Sequence, residues 1–76
     1  MISEDDVRKS LAGVLHSDRP MTWALDYRFL GDSVDSLDHA AFVLELQESR
    51  GLVVPDEDLG RLDTIANVLA YAGGKS

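Results

Sequence analysis

Asp35-Ser36-Leu37-Asp38-His39-Ala40-Ala41-Phe42-Val43-Leu44-Glu45-Leu46-Gln47-Glu48-Ser49-Arg50-Gly51 is the stretch that decides how this chain folds. Asp35 or Ser36 can cap a helix, Asp38 falls in the first turn where the helix dipole favours an anion, and Gly51 marks the end. The spacing predicts a helix of about fourteen residues. Within it, Ala40-Ala41-Phe42-Val43-Leu44 wraps wider than one helical face. One face must serve the core. Some of the remainder is expected to stay exposed beside Asp38, Glu45 and Glu48, which is the makeup of a docking surface. A helix buried on two sides would carry the same run.

Downstream, Leu52-Val53-Val54 leads into Pro55, a residue suited to a helix start, with Asp56-Glu57-Asp58 near that N-terminus. A short helix ending near Gly60 is expected. A last helix follows Asp63, with Ile65, Val68, Leu69 and Ala72 on its apolar stripe; Gly73-Gly74 should stop it, leaving Lys75-Ser76 frayed. Upstream, Val7, Leu11, Val14 and Leu15 recur at helical spacing behind Ser3 and Asp6, a carboxylate variant of the capping box. This predicts a first helix over residues 3–16. Residues 17–35 mix Pro20 and Gly31 with Met21, Trp23, Leu25, Tyr27, Phe29 and Leu30, and read as a long connection pinned across the core. Trp23 to Tyr27 alternates partly like a strand but has no convincing partner. The fold class is therefore all-α: a small four-helix bundle, three main helices plus one short one, with a long first loop and a single domain over residues 1–76. Val43, Leu46, Val54, Leu62, Ile65 and Leu69 are assigned to its core, and His16 and His39 to its surface.

The chain has 76 residues, no cysteine and a formal charge of −7. Disulfides, thiolate metal sites and a cysteine nucleophile are excluded. The charge is concentrated: residues 31–60 hold eight acids against the single base Arg50. Such a field repels nucleic-acid phosphates and anionic membranes and attracts basic protein surfaces. No apolar run approaches the roughly 20 residues that span a bilayer, and the acidic opening Met1 to Asp6 is unlike a secretion signal. A cytoplasmic monomer, with no nucleic-acid partner and no membrane insertion, is expected. Asp32, Asp35 and Asp38 recur every third residue, which is not the alternate-position pattern of a calcium loop. No nucleophile–base–orienter set is visible, so the chain does not read as an enzyme.

At Asp35-Ser36-Leu37-Asp38 the sequence resembles the acyl carrier protein family, whose signature is Asp-Ser-Leu at the start of the second helix. The register extends the likeness. A helix, Gly51 and Val54-Pro55-Asp56-Glu57-Asp58 follow in the family's usual layout, and Thr64-Ile65 and Tyr71 sit where its last helix has similar residues. The resemblance is close over residues 35–72. Asp32-Ser33-Val34-Asp35 also reads Asp-Ser-x-Asp, but Ser36 has the family's usual separation from Pro55 and Ser33 would fall before the helix. The chain departs from the pattern at Ser33, where the family has glycine, at the displaced Leu30-Gly31, at Ala41, Arg50 and Trp23. These departures suit a specialised carrier of a polyketide, peptide or unusual-lipid pathway.

The resemblance implies that Ser36 bears a covalent 4′-phosphopantetheine drawn from coenzyme A, with Asp35 and Leu37 flanking it. A serine without a nearby base is a poor nucleophile, so a phosphopantetheinyl transferase is the implied catalyst. Asp35, Leu37, Asp38, Ala40, Leu44, Glu45, Glu48, Asp56 and Glu57 are the candidate partner contacts. Among them Leu44 suits core burial equally, since it continues Leu37 and Ala41 at helical spacing. The implied partners are acyl-transferring, condensing or acyl-activating enzymes with basic docking surfaces. A peptidyl or aminoacyl carrier, or a cofactor-free acidic helical interaction module, would share much of this composition.

Overall fold

Ser3 is extended, and its hydroxyl accepts a hydrogen bond from the Asp6 N–H at 3.1 Å while the Asp6 carboxylate accepts from the Ser3 N–H at 3.0 Å. The reciprocal pair satisfies donors that a helix start leaves orphaned. It begins α1 (Glu4–Leu15) in a computed structural model that describes residues 2–74. The helix ends on His16, left-handed at φ 53°, one position beyond Leu15 and matching the predicted end within a residue. Val7 and Leu11 of α1 are fully buried.

Asp6 also holds Arg50 at the far end of the second helix, Oδ1 to Nη2 at 2.9 Å. The Ser3 N–H foremost, then the Ser3 side chain, keep the Asp6 carboxyl below its ordinary range against the opposing effect of burial, with Arg50 and Lys9 adding less. A depressed folded value means stability that is present above the unfolded carboxylate pKa, about 4, and is lost as pH falls through the folded value. Asp6→Asn should therefore lower the urea midpoint at pH 7, and the gap to the unmodified protein should close below about pH 4. A gap that stays constant with pH would show that the charge contributes nothing.

Residues 17–35 form a tied-down connection rather than a strand pair. A 3₁₀ turn covers Arg19–Thr22, and the only strand-like feature among the described residues is an isolated bridge between Leu30 and Val34. The Arg8 guanidinium reaches across from α1, where Glu4 steadies it at 2.8 Å, and donates to the carbonyls of Pro20 at 2.8 Å and Trp23 at 2.7 Å. Further on, the Phe29 N–H donates to the Asp63 carbonyl and the Ala66 N–H to the Leu25 carbonyl, both at 3.0 Å. Trp23 stacks on Phe29 with centroids 5.6 Å apart, and Phe29 meets Phe42 edge-on at 6.2 Å. Arg8→Met keeps an apolar stem but strips both carbonyls of a charged donor. It should cost about 2–3 kcal/mol, read as a lower urea midpoint with a shifted Trp23 emission; an unchanged midpoint would mean water replaces the guanidinium without loss.

α2 (Ser36–Arg50) runs from the Asp35 cap to Gly51, which is left-handed at φ 71° and donates to the Gln47 carbonyl at 3.1 Å. Its inward residues are His39, Phe42, Val43 and Leu46. His39 corrects the sequence expectation of a surface histidine. It is 3% exposed, packs against Phe29 and Phe42, and makes a 2.8 Å bond through Nε2 to the Leu62 carbonyl. A carbonyl only accepts, so Nε2 carries the hydrogen. The short element expected after Pro55 is a 3₁₀ helix, Asp56–Arg61, fastened by the Tyr71 hydroxyl donating to Asp58 at 2.8 Å.

Thr64 caps the last helix, α3 (Ile65–Gly74), its hydroxyl accepting from the Asn67 N–H at 2.9 Å. The helix runs through both glycines of the expected stop and ends on Gly74; Lys75-Ser76 lies outside the described residues. α1 packs on both α2 and α3, and the core fills the space among them with Val7, Leu11, Phe42, Leu62, Ile65 and Val68. Of the residues assigned to the core, Leu69 is only partly buried. The all-α bundle with three main helices, a short fourth and a long first connection is the architecture observed. No helix among the described residues is long and apolar enough to cross a membrane.

Candidate functional site

The start of α2 is built by the turn that precedes it. The Val34 and Asp32 N–H groups donate to the Phe29 carbonyl at 3.0 and 3.1 Å, and the Gly31 N–H donates to the Val34 carbonyl at 2.8 Å. Gly31 has φ 88°, which a side chain would disfavour. The turn closes around Leu30-Gly31, and Val34 is buried as the anchor just before the cap. Asp35 then accepts from the Asp38 N–H at 2.8 Å. Only this forward half of a capping box forms, and among the described residues the Asp38 carboxylate makes no return bond to the cap.

Ser36 is the first residue of α2 and is exposed. Among the described residues nothing hydrogen-bonds its hydroxyl. Ser33, the competing serine, is in a different state. It is half-buried, 2.6 Å from the Tyr27 hydroxyl, which itself lies 2.5 Å from Asp32 Oδ2. The tyrosine has one hydrogen and the carboxylate takes it, so the Ser33 hydroxyl donates to Tyr27. An attached chain at Ser33 would have to break that arrangement. At Ser36 it would break none.

Leu37 is 81% exposed and Leu44 is 51% exposed, with Ala40 and Ala41 exposed between them. Positions three and four apart share a helix face, so these four make one apolar stripe on the side of α2 opposite Phe42 and Leu46. The exposed Glu45 and Glu48 border its far end, and Asp35 with the half-buried Asp38 its near end. The two readings left open for Leu44 resolve to exposure. Asp56 and Glu57 are exposed as well, but on the separate 3₁₀ helix and not on this stripe.

No group of three or more acidic or histidine side chains placed to hold a metal ion occurs among the described residues. No protein-family model matches the chain, and no solved structure matches it significantly. Sequence reasoning missed His39 and Val34 as supports of the site, and gave Phe29 only as one of the apolar residues pinning the connection across the core. Their signal was present in the clustering of His39 with Phe42 at helical spacing, and in Phe29 and Val34 bracketing Gly31.

Proposed function

We propose that this protein is an acyl carrier: a non-catalytic domain whose Ser36 receives 4′-phosphopantetheine and which presents the loaded arm to enzymes with basic docking surfaces. The observation that carries this reading is the exposed, unengaged Ser36 hydroxyl at the first position of α2, beside a rigidly capped turn and a stripe of exposed apolar residues bordered by acids. A single exposed leucine would need no explanation, but Leu37 and Leu44 lie exposed on one contiguous stripe, the arrangement that marks an interaction surface.

The residues present suit the group. The free N–H groups at the start of α2 favour a phosphodiester by about 0.3–1 kcal/mol. Asp35 and Asp38 oppose it by like-charge repulsion, so they fit a role in meeting lysines and arginines of a partner. In the loading step the Ser36 oxygen attacks the β-phosphorus of coenzyme A. The P–O bond to 3′,5′-ADP breaks, and the serine proton passes to a base of the transferase. The attached arm supplies a thiol that holds acyl groups as thioesters. Leu37, Ala40 and Leu44 contribute apolar contact to whichever enzyme visits, while Glu45, Glu48, Asp56 and Glu57 steer it electrostatically.

Incubation with coenzyme A, magnesium and a broad-specificity phosphopantetheinyl transferase should raise the intact mass by about 340 Da, one covalent arm. No gain with any transferase would leave the acidic helical module, which needs no serine at that place.

A further inference from the structure

At the end of α2 away from Ser36 lies an open cleft of about 540 Å³, bordered among the described residues by Ile2, Arg50, Leu52, Val53, Leu69 and Ala72. Fourteen helical steps of about 1.5 Å separate Ser36 from Arg50, so the two places are roughly 21 Å apart along α2. The volume falls within the range of about 300–1,000 Å³ usual for small-ligand sites. Its side chains are aliphatic apart from Arg50, and Gly51 and Gly73 add backbone to the lining. Val53, 70% exposed, stands at its edge although the segment that carries it is fixed, since the Val54 N–H donates to Gln47 Oε1 at 3.1 Å.

The geometry points to a binding site for a linear aliphatic carboxylate, its chain against Val53, Leu52 and Leu69 and its head on the Arg50 guanidinium. Two observations select this class. Among the described residues no aromatic side chain borders the cleft to stack a flat ring, so flexible hydrocarbon is the better fit. Arg50 is the one base in the acidic middle of the chain, and its bond to Asp6 uses only Nη2. That single bond occupies one of the guanidinium's two paired-donor edges (Nε with Nη2, Nη1 with Nη2) and leaves the other to take a carboxylate. The site needs no arm on Ser36, so it stands or falls apart from the carrier proposal.

Titration of the apo protein with decanoate, followed by ¹H–¹⁵N correlation spectra, tests it. Saturable shifts should centre on residues 51–53 and 69–73. Val53→Asp, at an exposed position that does not support the fold, should weaken binding about tenfold or more by placing a carboxylate against the chain. Arg50→Gln should weaken decanoate about threefold to fivefold and leave decanol unaffected. Shifts that centre on Leu37 to Leu44, that fail to saturate, or that appear on concentrating the protein without decanoate would overturn the assignment, the last in favour of a second copy. Equal weakening of decanoate and decanol by Arg50→Gln would remove the carboxylate from it.

Discussion

Ser36→Ala should abolish the gain of about 340 Da completely, while Ser33→Ala should retain it. The contrast is informative because neither loss has an easy structural excuse. Ser36 is exposed at the first helical position, makes no hydrogen bond through its side chain among the described residues, and leaves the capping to Asp35. Alanine there should shift stability by no more than about 0.5 kcal/mol. Ser33 is the one that bonds Tyr27, so its replacement should cost about 0.5–1.5 kcal/mol and still leave a folded, loadable protein. The structurally costlier change should thus be the functionally silent one. The reverse pattern, with the arm retained in Ser36→Ala and lost in Ser33→Ala, would move the attachment point into the turn and undo the register on which the family likeness rests.

Phe29→Ala should be the most damaging of the stability changes. Phe29 is fully buried although it belongs to the long connection, and it stands between Trp23, Phe42 and the ring of His39. Removing a buried phenyl ring costs about 3–5 kcal/mol. A domain of this length has only about 4–11 kcal/mol to lose. Most of the variant's margin should therefore disappear, seen as a urea midpoint shifted far toward zero and a Trp23 emission moved toward that of exposed indole. The consequence would extend to function, because the Phe29 ring anchors the segment whose main-chain carbonyl accepts the two bonds that shape the turn before Asp35. A cost below about 1 kcal/mol would mean that the connection is not part of the core.

The helices were legible because each has its own punctuation. Ser3 with Asp6, Asp35 before Ser36, and Gly51 after Arg50 satisfy local donors and acceptors, and local chemistry can be read one residue at a time. Residues 17–35 were not legible in the same way. What holds them is nonlocal: a guanidinium from α1, the N-terminal segment of α3, and the rings of His39 and Phe42 on α2 against Phe29. No periodicity marks such ties. His39 was misplaced for a related reason. Its spacing from Phe42 and Leu46 put it on the inward face, but only the Leu62 carbonyl, 23 residues away, makes burial of an imidazole acceptable. The candidate site was more legible than its supports. Leu37, Ala40 and Leu44 lie exposed together because the helical repeat alone fixes which positions share a face.

Trypsin cuts after Arg28 and Arg50, so one peptide, residues 29–50, holds Ser33, Ser36 and Ser49 together. Fragmentation of that peptide from protein treated with coenzyme A and a transferase is the most direct measurement. An arm of about 340 Da on Ser36 alone is the predicted result; an arm on either other serine, or an unmodified peptide under every transferase tried, would contradict it.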